Sequence, residues 1–154
     1  YLRVEDISSD LSFKQYAVDD MVRQVIRKYA KIFISKKIKM NFKPTGRYIV
    51  TDDKWFVFVL EQFISNALKY TKKGQISIYM KEKSLVIEDT GIGIPAEDLP
   101  RIFEKGFTGY NGRENKKSTG IGLYLCKNIM DKLQWNITVD SEVGSGTKIY
   151  LTKM

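Results

Sequence analysis

The sequence predicts an α+β two-layer sandwich in which about three helices cover one face of a mixed, mainly antiparallel sheet. The length of 154 residues suits a single domain. Segments with strand patterning outnumber helical segments, and most of these strands are joined by short turns, as in hairpins. A composition of 43% hydrophobic and 29% charged residues is that of a folded domain with a core rather than a disordered chain.

The first half of the chain predicts two long helices. An apolar stripe at helical spacing predicts the first, which Asp19 or Asp20 can cap. Asp52 and Asp53 can cap the second, which is apolar nearly all round and runs to about Lys69. The stripe of the first helix consists of Val22, Val25, Ile26, Tyr29 and Phe33. The strands predicted around these helices are residues 13–16, 36–42 and 48–51.

The second half predicts more strands, with a long loop among them. The predicted elements are strands at 75–80 and 84–89, a short helix from Pro95 to about Phe103, a third long helix at about 120–133, and strands at 135–142 and 148–152. Residues 106–119 are polar and glycine-rich. Loops of this kind within compact domains are often lids or binding loops.

The residue counts exclude several kinds of chemistry. No histidine is present, which excludes a Ser-His-Asp triad, a Cys-His dyad and His-ligated zinc within this chain. The single cysteine, Cys126, excludes an internal disulfide and a multi-cysteine metal site. The net charge of +8 is spread along the chain, as on an ordinary solvated surface. The charge is also compatible with a polyanionic partner, whether a nucleotide, a nucleic acid or a membrane surface.

A polar strip marks the second helix. Gln62, Asn66 and Lys69 fall on about a third of its circumference, and Tyr70 follows them. An amide oxygen is a suitable ligand for Mg²⁺, and an ammonium pairs with phosphate as a point charge. The strip therefore fits a site for a cation and an anion, or an ordinary solvent-facing side of the helix.

Three glycine-containing segments also fit either a ligand site or a plain connection. Asp89 ends a strand beside Gly91 and Gly93, where it can accept a hydrogen bond from an amine on a flat ring. Residues 118–123 open a helix, whose free N–H groups attract phosphate. This segment is neither a Walker A loop nor a dinucleotide fingerprint. Residues 144–147 taken alone indicate a hairpin turn.

The order and spacing of these segments resemble the N, G1, F, G2 and G3 boxes of the sensor histidine kinase ATP-binding domain, which belongs to the GHKL superfamily. The segments are NALKY (66–70), DTGIGIP (89–95), IFEKGF (102–107), TGIGL (119–123) and GSGT (144–147). The resemblance covers nearly the whole chain and implies the Bergerat, or GHKL, fold. The loop from residue 106 is similar to that of the intramembrane-sensing kinases of Gram-positive bacteria that respond to bacitracin and antimicrobial peptides.

The resemblance implies the role of each site residue. Asn66 and Lys69 are expected to act in catalysis with Gln62, Asn66 as the ligand of Mg²⁺ and Lys69 near the phosphates of ATP. Asp89 is expected to accept the amine of adenine, and Phe103 and Phe107 to anchor a lid at 106–119. The residues expected to bind the nucleotide are Asn66, Lys69, Tyr70, Asp89, Gly91, Gly93, Ile94, Phe107, Thr119, Gly120, Ile121, Gly122, Leu123 and Thr147. The residue expected to reach the γ-phosphate is Arg113, Lys116 or Lys117.

One residue departs from the family pattern. Many histidine kinases have a second Asn four residues before Asn66, and the related ATPases have a catalytic Glu there, whereas this chain has Gln62. A Gln side chain cannot act as a general base at neutral pH, which weakens the hydrolase interpretation. The neighbouring Glu61 lies about 100° away around the helix.

The resemblance implies the ATP-binding catalytic domain of a two-component sensor histidine kinase. Such a domain binds Mg-ATP and donates the γ-phosphoryl to a His on a separate helical domain, which this chain lacks. The alternatives are a GHKL ATPase, an anti-sigma-type serine kinase, and a module that binds nucleic acid or a membrane surface.

The resemblance also sets expectations for the parent protein. Residues 1–10 are expected to be a linker or the tail of a dimerisation helix, and residues 11–154 the catalytic domain. Expected partners are the protein's own dimerisation and phosphotransfer domain, a response regulator and an ABC transporter, with no nucleic acid. The domain is expected to be monomeric, in a homodimeric cell-membrane protein whose catalytic part lies in the cytoplasm.

Overall fold

Three helices lie on one face of a five-stranded sheet in the computed structural model, which describes residues 11–107 and 122–154. The helices are α1 (Val18–Lys36), α2 (Asp53–Tyr70) and α3 (Gly122–Leu133). The strands are β1 (Lys14–Ala17), β2 (Lys39–Phe42), β3 (Tyr48–Thr51), β4 (Gln75–Lys81), β5 (Ser84–Asp89), β6 (Trp135–Glu142) and β7 (Gly146–Lys153). The predicted linker at 1–10 lies outside the described residues.

The main sheet has the strand order β2-β4-β5-β7-β6. Its β2–β4 pair is parallel and its other pairs are antiparallel, so the predicted mixed, mainly antiparallel sheet is confirmed. The strands β1 and β3 pair with each other in a separate two-stranded sheet. The sequence does not distinguish this small sheet, because the alternation of a short strand is the same whichever strand pairs with it.

The core lies between the helices and the sheet. The sheet contributes alternate residues of its central strands, namely Ile76, Ile78, Leu85, Ile87 and Leu151, all of which are buried. The helices contribute Phe56, Leu60, Ile64, Ile129 and Met130. Because side chains alternate along a strand, Asp89 at the end of β5 points to the same side as Ile87 and Leu85. The carboxylate is therefore placed at the border of this core.

Two helix boundaries differ from the sequence predictions. Ala17 precedes α1 without a capping side chain, so the prediction that Asp19 or Asp20 caps this helix is wrong. The predicted short helix from Pro95 is reduced to a 3₁₀ turn, Leu99–Arg101. Pro100 explains this, since it lies in the interior of the predicted helix and has no N–H to donate to the preceding turn. The predicted cap of α2 is confirmed, because the Asp52 carboxylate accepts a hydrogen bond from Trp55 N–H at 3.2 Å.

Asp19 instead holds the turn that leads into β3. Its carboxylate accepts hydrogen bonds from Thr45 N–H at 2.9 Å, Thr45 Oγ1 at 2.7 Å and Gly46 N–H at 3.0 Å. Burial raises the pKa of Asp19, but these hydrogen bonds and Arg23 outweigh burial and bring the pKa below its ordinary value. A lowered pKa in the folded state means that this stabilisation is present above the unfolded pKa, near 3.9, and is lost as the pH falls through the folded pKa.

Asp19→Asn is therefore expected to lower the free energy of unfolding by about 1–3 kcal/mol at pH 7, since it removes a charged acceptor from three donors. The loss should shrink as the pH falls below about 4, because wild-type Asp19 then becomes protonated. Urea unfolding between pH 3 and pH 7 measures both effects. The exposed neighbour Asp20 supplies the control Asp20→Asn, and equal losses in the two variants would contradict the role of Asp19.

Candidate functional site

Asp89 is a half-buried carboxylate at the point where β5 ends in a glycine turn. Its Oδ1 accepts a hydrogen bond from Gly91 N–H at 2.8 Å, and the backbone N–H of Thr147 also bonds the carboxylate. Burial is the main effect on the carboxyl group and raises its pKa, whereas these two hydrogen bonds act in the opposite direction. The result is a hydrogen-bond acceptor held in fixed position at the border of the core.

Gly91 brings the end of α2 against this turn. A Cβ at Gly91 would lie 2.5 Å from Tyr70 O, 2.8 Å from Thr71 Oγ1 and 2.9 Å from Asp89 Oδ1. The next residue, Ile92, donates its N–H to the same Tyr70 carbonyl at 3.1 Å. The missing side chain of Gly91 thus lets the Asp89 turn lie against the last residue of α2 and the residue after it.

The β6–β7 hairpin closes the other side of the turn. Gly93 has a φ of +78°, and a Cβ there would lie 2.2 Å from Glu142 O, so only glycine fits. Gly144 N–H donates to Ile92 O at 2.9 Å. Thr147 lies opposite Asp89 in the β5–β7 register. The segments predicted at 89–95 and 144–147 are therefore brought together.

Ser141 is a polar residue of this region that the sequence does not single out. Its hydroxyl accepts a hydrogen bond from Ile94 N–H at 2.8 Å and lies 2.8 Å from Thr147 Oγ1 and 2.9 Å from Gly146 O. It thereby connects the glycine turn to the start of β7. A single serine within a strand forms no recognisable motif. The only sequence feature that could have identified Ser141 is the alternation of β6, which places its side chain on the core side of the sheet.

The polar strip of α2 lies at the other end of the site. Gln62, Asn66 and Lys69 are each half-buried. Burial lowers the pKa of Lys69, whose Nζ lies 5.3 Å from the centre of the Tyr70 ring. A Cβ at Gly122 would lie 2.4 Å from Gln62 Oε1, so the strip faces the first described residue of α3. The Gln62 amide thus lies beside the first described residue of α3, and Asn66 and Lys69 follow it along the same side of α2. The N–H groups at the start of a helix favour an anion.

Glu61 lies off this strip, as its position around the helix predicts. Its carboxylate pairs with Lys28 of α1 at 2.7 Å. The described residues contain no group of three or more His, Cys, Asp or Glu side chains able to hold a metal ion. Amide oxygens such as that of Asn66 suit Mg²⁺, but a cation here needs further oxygen atoms from an anionic ligand.

The structure describes part of the predicted lid region. Phe103 packs against the core, whereas the Phe107 ring lies 4.5 Å from the Arg101 guanidinium carbon. Leu123, in the first turn of α3, also packs against the core. The predicted site residues Thr119, Gly120 and Ile121 lie outside the described residues, as do the three lid candidates Arg113, Lys116 and Lys117.

Comparison with known families agrees with this arrangement. Residues 51–153 match the family described as histidine kinase-, DNA gyrase B-, and HSP90-like ATPase. The match covers about two thirds of the chain and includes the polar strip, the Asp89 turn and the β6–β7 hairpin. The chain belongs to this family. Its fold class and its family are therefore those that the five boxes imply.

Curated relatives of this histidine-kinase-type ATPase domain come from Gram-positive bacteria. The sensor histidine kinase YxdK of Bacillus subtilis is 35% identical over 163 residues, covering 99% of this chain and 50% of its own length. The sensor protein kinase GraS of Staphylococcus aureus is 37% identical over 155 residues, covering 97% of this chain and 44% of its own length. The chain thus spans about half the length of the curated relatives that it matches. Among the described residues, no helix is long and apolar enough to cross a membrane.

Solved structures confirm the fold of the ATPase domain. The catalytic domain of histidine kinase ThkA aligns with a TM-score of 0.76 at 19% identity, covering 92% of this chain and 95% of the other. The mycobacterial sensor histidine kinase MprB aligns with a TM-score of 0.74 at 20% identity, covering 91% and 95%. Full-length ShkA in complex with AMPPNP aligns with a TM-score of 0.75 at 20% identity, covering 94% of this chain and 32% of the other.

Proposed function

We propose that this domain binds Mg-ATP between the Asp89 turn and the polar strip of α2, and donates the γ-phosphoryl group to a histidine on a separate helical domain. The observation that carries the proposal is that one helix, α2, connects two different subsites, the Asp89 turn and the polar strip. Residues 70–71 contact the glycine turn beside Asp89, while Asn66 lies one turn earlier in α2 and Gln62, one turn before that, faces Gly122 of α3.

The Asp89 subsite suits the adenine ring. A fixed, half-buried carboxylate accepts a hydrogen bond from an exocyclic amine, and the apolar border of the core suits a flat ring. Gly91 and Gly93 keep side chains out of the turn, and Ile94 supplies an apolar surface. Thr147 lies opposite Asp89 in the sheet register and donates its N–H to the carboxylate. These residues would orient the base and so fix the direction in which the phosphates leave the site.

The strip of α2 suits the triphosphate. Lys69 would neutralise phosphate charge, and its partial burial strengthens that attraction. Asn66 would hold Mg²⁺ through its amide oxygen, and the ion would neutralise charge on the phosphates when bound. The backbone N–H groups of Gly122 and Leu123, together with those of Thr119, Gly120 and Ile121, would bind phosphate oxygens at the start of α3. Tyr70 and Phe107 would border the nucleotide.

The described residues favour transfer to another molecule over hydrolysis. Glu61 pairs with Lys28 instead of facing the strip, and Gln62 cannot take a proton from water. The acceptor must lie outside this chain, because the chain contains no histidine. Catalysis by this domain then consists of positioning and charge neutralisation.

The arrangement of the relatives supports a wider proposal for the parent protein. Both YxdK and GraS are sensor kinases of about twice this length. We infer that the parent is a homodimeric membrane sensor with this domain in the cytoplasm, a dimerisation and phosphotransfer domain before it, a response regulator as substrate, and an ABC transporter as partner.

Replacing Asn66 is expected to remove the effect of Mg²⁺ on nucleotide binding. Titration calorimetry with AMPPNP at increasing Mg²⁺ should show tighter binding to the wild-type domain. Asn66→Ala should lose that gain, with about a 10- to 100-fold weaker affinity in saturating Mg²⁺, as for loss of one charge-assisted contact. The control is Asn136→Ala on the exposed side of β6. An unchanged Mg²⁺ dependence in Asn66→Ala would overturn the metal assignment.

A further inference from the structure

Thr71, the residue after α2, carries a buried hydroxyl that makes no hydrogen bond to the described residues. Its side chain is 0% exposed, and Oγ1 has no hydrogen-bond partner among the described residues. A buried hydroxyl without a partner is unfavourable, because it has lost its water without compensation. Valine would fill the same volume without this cost. The hydroxyl therefore points to a state of the site in which it is bonded.

The position of Thr71 shows what that state involves. Thr71 Oγ1 and Asp89 Oδ1 would lie 2.8 Å and 2.9 Å from a Cβ on Gly91, so the two oxygens border the same small space. The backbone groups nearby are already engaged, since Tyr70 O accepts from Ile92 N–H and Gly91 N–H donates to Asp89. Asp89 Oδ1 is a carboxylate oxygen with capacity for a further donor.

We propose that Thr71 is a positioning residue of the adenine subsite, whose hydroxyl bonds to Asp89, directly or through one shared water, when a nucleotide is bound. This inference rests on the proposed function. In the bound state the carboxylate then accepts from Gly91, Thr147, Thr71 and the adenine amine, and its orientation is fixed from every side. Thr71 itself makes no contact with the nucleotide.

The electrostatics of Asp89 give this role a measurable consequence. The groups that act on its charge are the neighbouring carboxylate Glu88 and the N–H groups of Gly91 and Thr147, and burial opposes the ionised form most strongly. A hydroxyl donor favours the ionised form. Adenine binds more tightly to ionised than to protonated Asp89, so affinity falls as the pH falls through the Asp89 pKa. Because Thr71 donates only in the nucleotide complex, removing it raises the Asp89 pKa of the complex and leaves that of the unliganded domain unchanged. The affinity of the variant then falls less on acidification than that of the wild type.

The experiment compares nucleotide binding by the whole chain in four forms: wild type, Thr71→Val, Thr71→Ser and Thr51→Val. Thr51 is a matched control, since its hydroxyl is also fully buried and has no hydrogen-bond partner among the residues that the structure describes, but lies in β3. The probes are ADP and inosine diphosphate, which has a carbonyl in place of the amine. Calorimetry from pH 4.5 to pH 8 gives the affinity, the preference for ADP and the dependence of affinity on pH.

Thr71→Val should weaken ADP binding about tenfold at neutral pH, the effect of one hydrogen bond to a charged group, reduce the preference for ADP, and make affinity fall less on acidification. Thr71→Ser should restore all three properties, and Thr51→Val should change none. Thr71→Val with the wild-type ADP preference and pH dependence would overturn the inference. If that variant fails to fold, Thr71→Ala against Thr71→Ser gives the same comparison. Absence of ADP binding by the wild type would instead overturn the proposed function.

Discussion

Asp89→Asn is expected to weaken ADP binding by about 100-fold or more while leaving the unliganded domain at least as stable as the wild type. The asparagine side chain is uncharged, and its amide group presents N–H donors where the adenine amine also donates. Losing one hydrogen bond to a charged acceptor costs about 1.5–3 kcal/mol, and the opposed donors add to this cost. Asp89→Asn is therefore expected to lower the affinity for ADP.

Stability should move in the other direction. Burial raises the pKa of Asp89 above its unfolded value, so the ionised form destabilises the folded state at neutral pH. For such a group the unfolded state binds fewer protons, so the Asp89 contribution to stability rises as the pH falls toward the folded pKa. A neutral asparagine avoids the penalty, and the advantage of the variant should shrink on acidification.

Thermal denaturation with and without ADP, between pH 5 and pH 8, measures both effects. The control is Asp140→Asn, which neutralises an exposed carboxylate on β6. An undiminished ADP-induced rise in Tm in Asp89→Asn would contradict the adenine assignment. A clear fall in the Tm of the unliganded variant would show that Asp89 serves the fold rather than the site.

Much of this fold follows from local patterns. The strands β3 and β5 begin and end at the predicted residues, because each is a short run of apolar residues, several of them β-branched, between polar or turn residues. The cap at Asp52 is confirmed, since N-capping depends on residues only three apart. Wherever the determining contacts are close in the chain, the sequence is sufficient to predict the element.

Apart from the helix that Pro100 interrupts, the failures concern contacts that are distant in the chain. Asp19 is a residue type that often caps helices, but its carboxylate bonds the backbone N–H groups of residues 45 and 46 instead. This bonding depends on how the chain returns toward α1 before β3, which the local sequence does not show. The site shows the same division. Asp89 and the polar strip are recognised through motifs. Thr71 and Ser141 are single hydroxyls, and their importance depends on neighbours 18 or more residues away or on a folded hairpin.

Gly146→Ala is expected to lower the free energy of unfolding by at least about 4 kcal/mol, because it combines two costs. The residue has a φ of +119°, which strains any L-amino acid. A Cβ there would also lie 2.0 Å from Asp89 O and 3.0 Å from Thr90 Cα. These atoms belong to the backbone, so β5 and β7 must separate at the point where Asp89 is held, and losses of this size are confined to such mechanisms.

Gly144 in the same hairpin separates these two costs. It has a φ of +87°, and no atom lies within 4 Å of the Cβ position, so Gly144→Ala bears the strain alone, about 1–3 kcal/mol. Urea unfolding of both variants gives the steric cost as the difference between them, and ADP binding should fall only in Gly146→Ala. Equal losses of stability in the two variants would mean that β7 accommodates the new Cβ at residue 146 without displacing β5. A much larger loss of stability in Gly146→Ala than in Gly144→Ala would instead mean that the added Cβ displaces Asp89, whose carbonyl oxygen is the nearest atom. The geometry of the adenine subsite would then depend on a glycine that contacts no ligand.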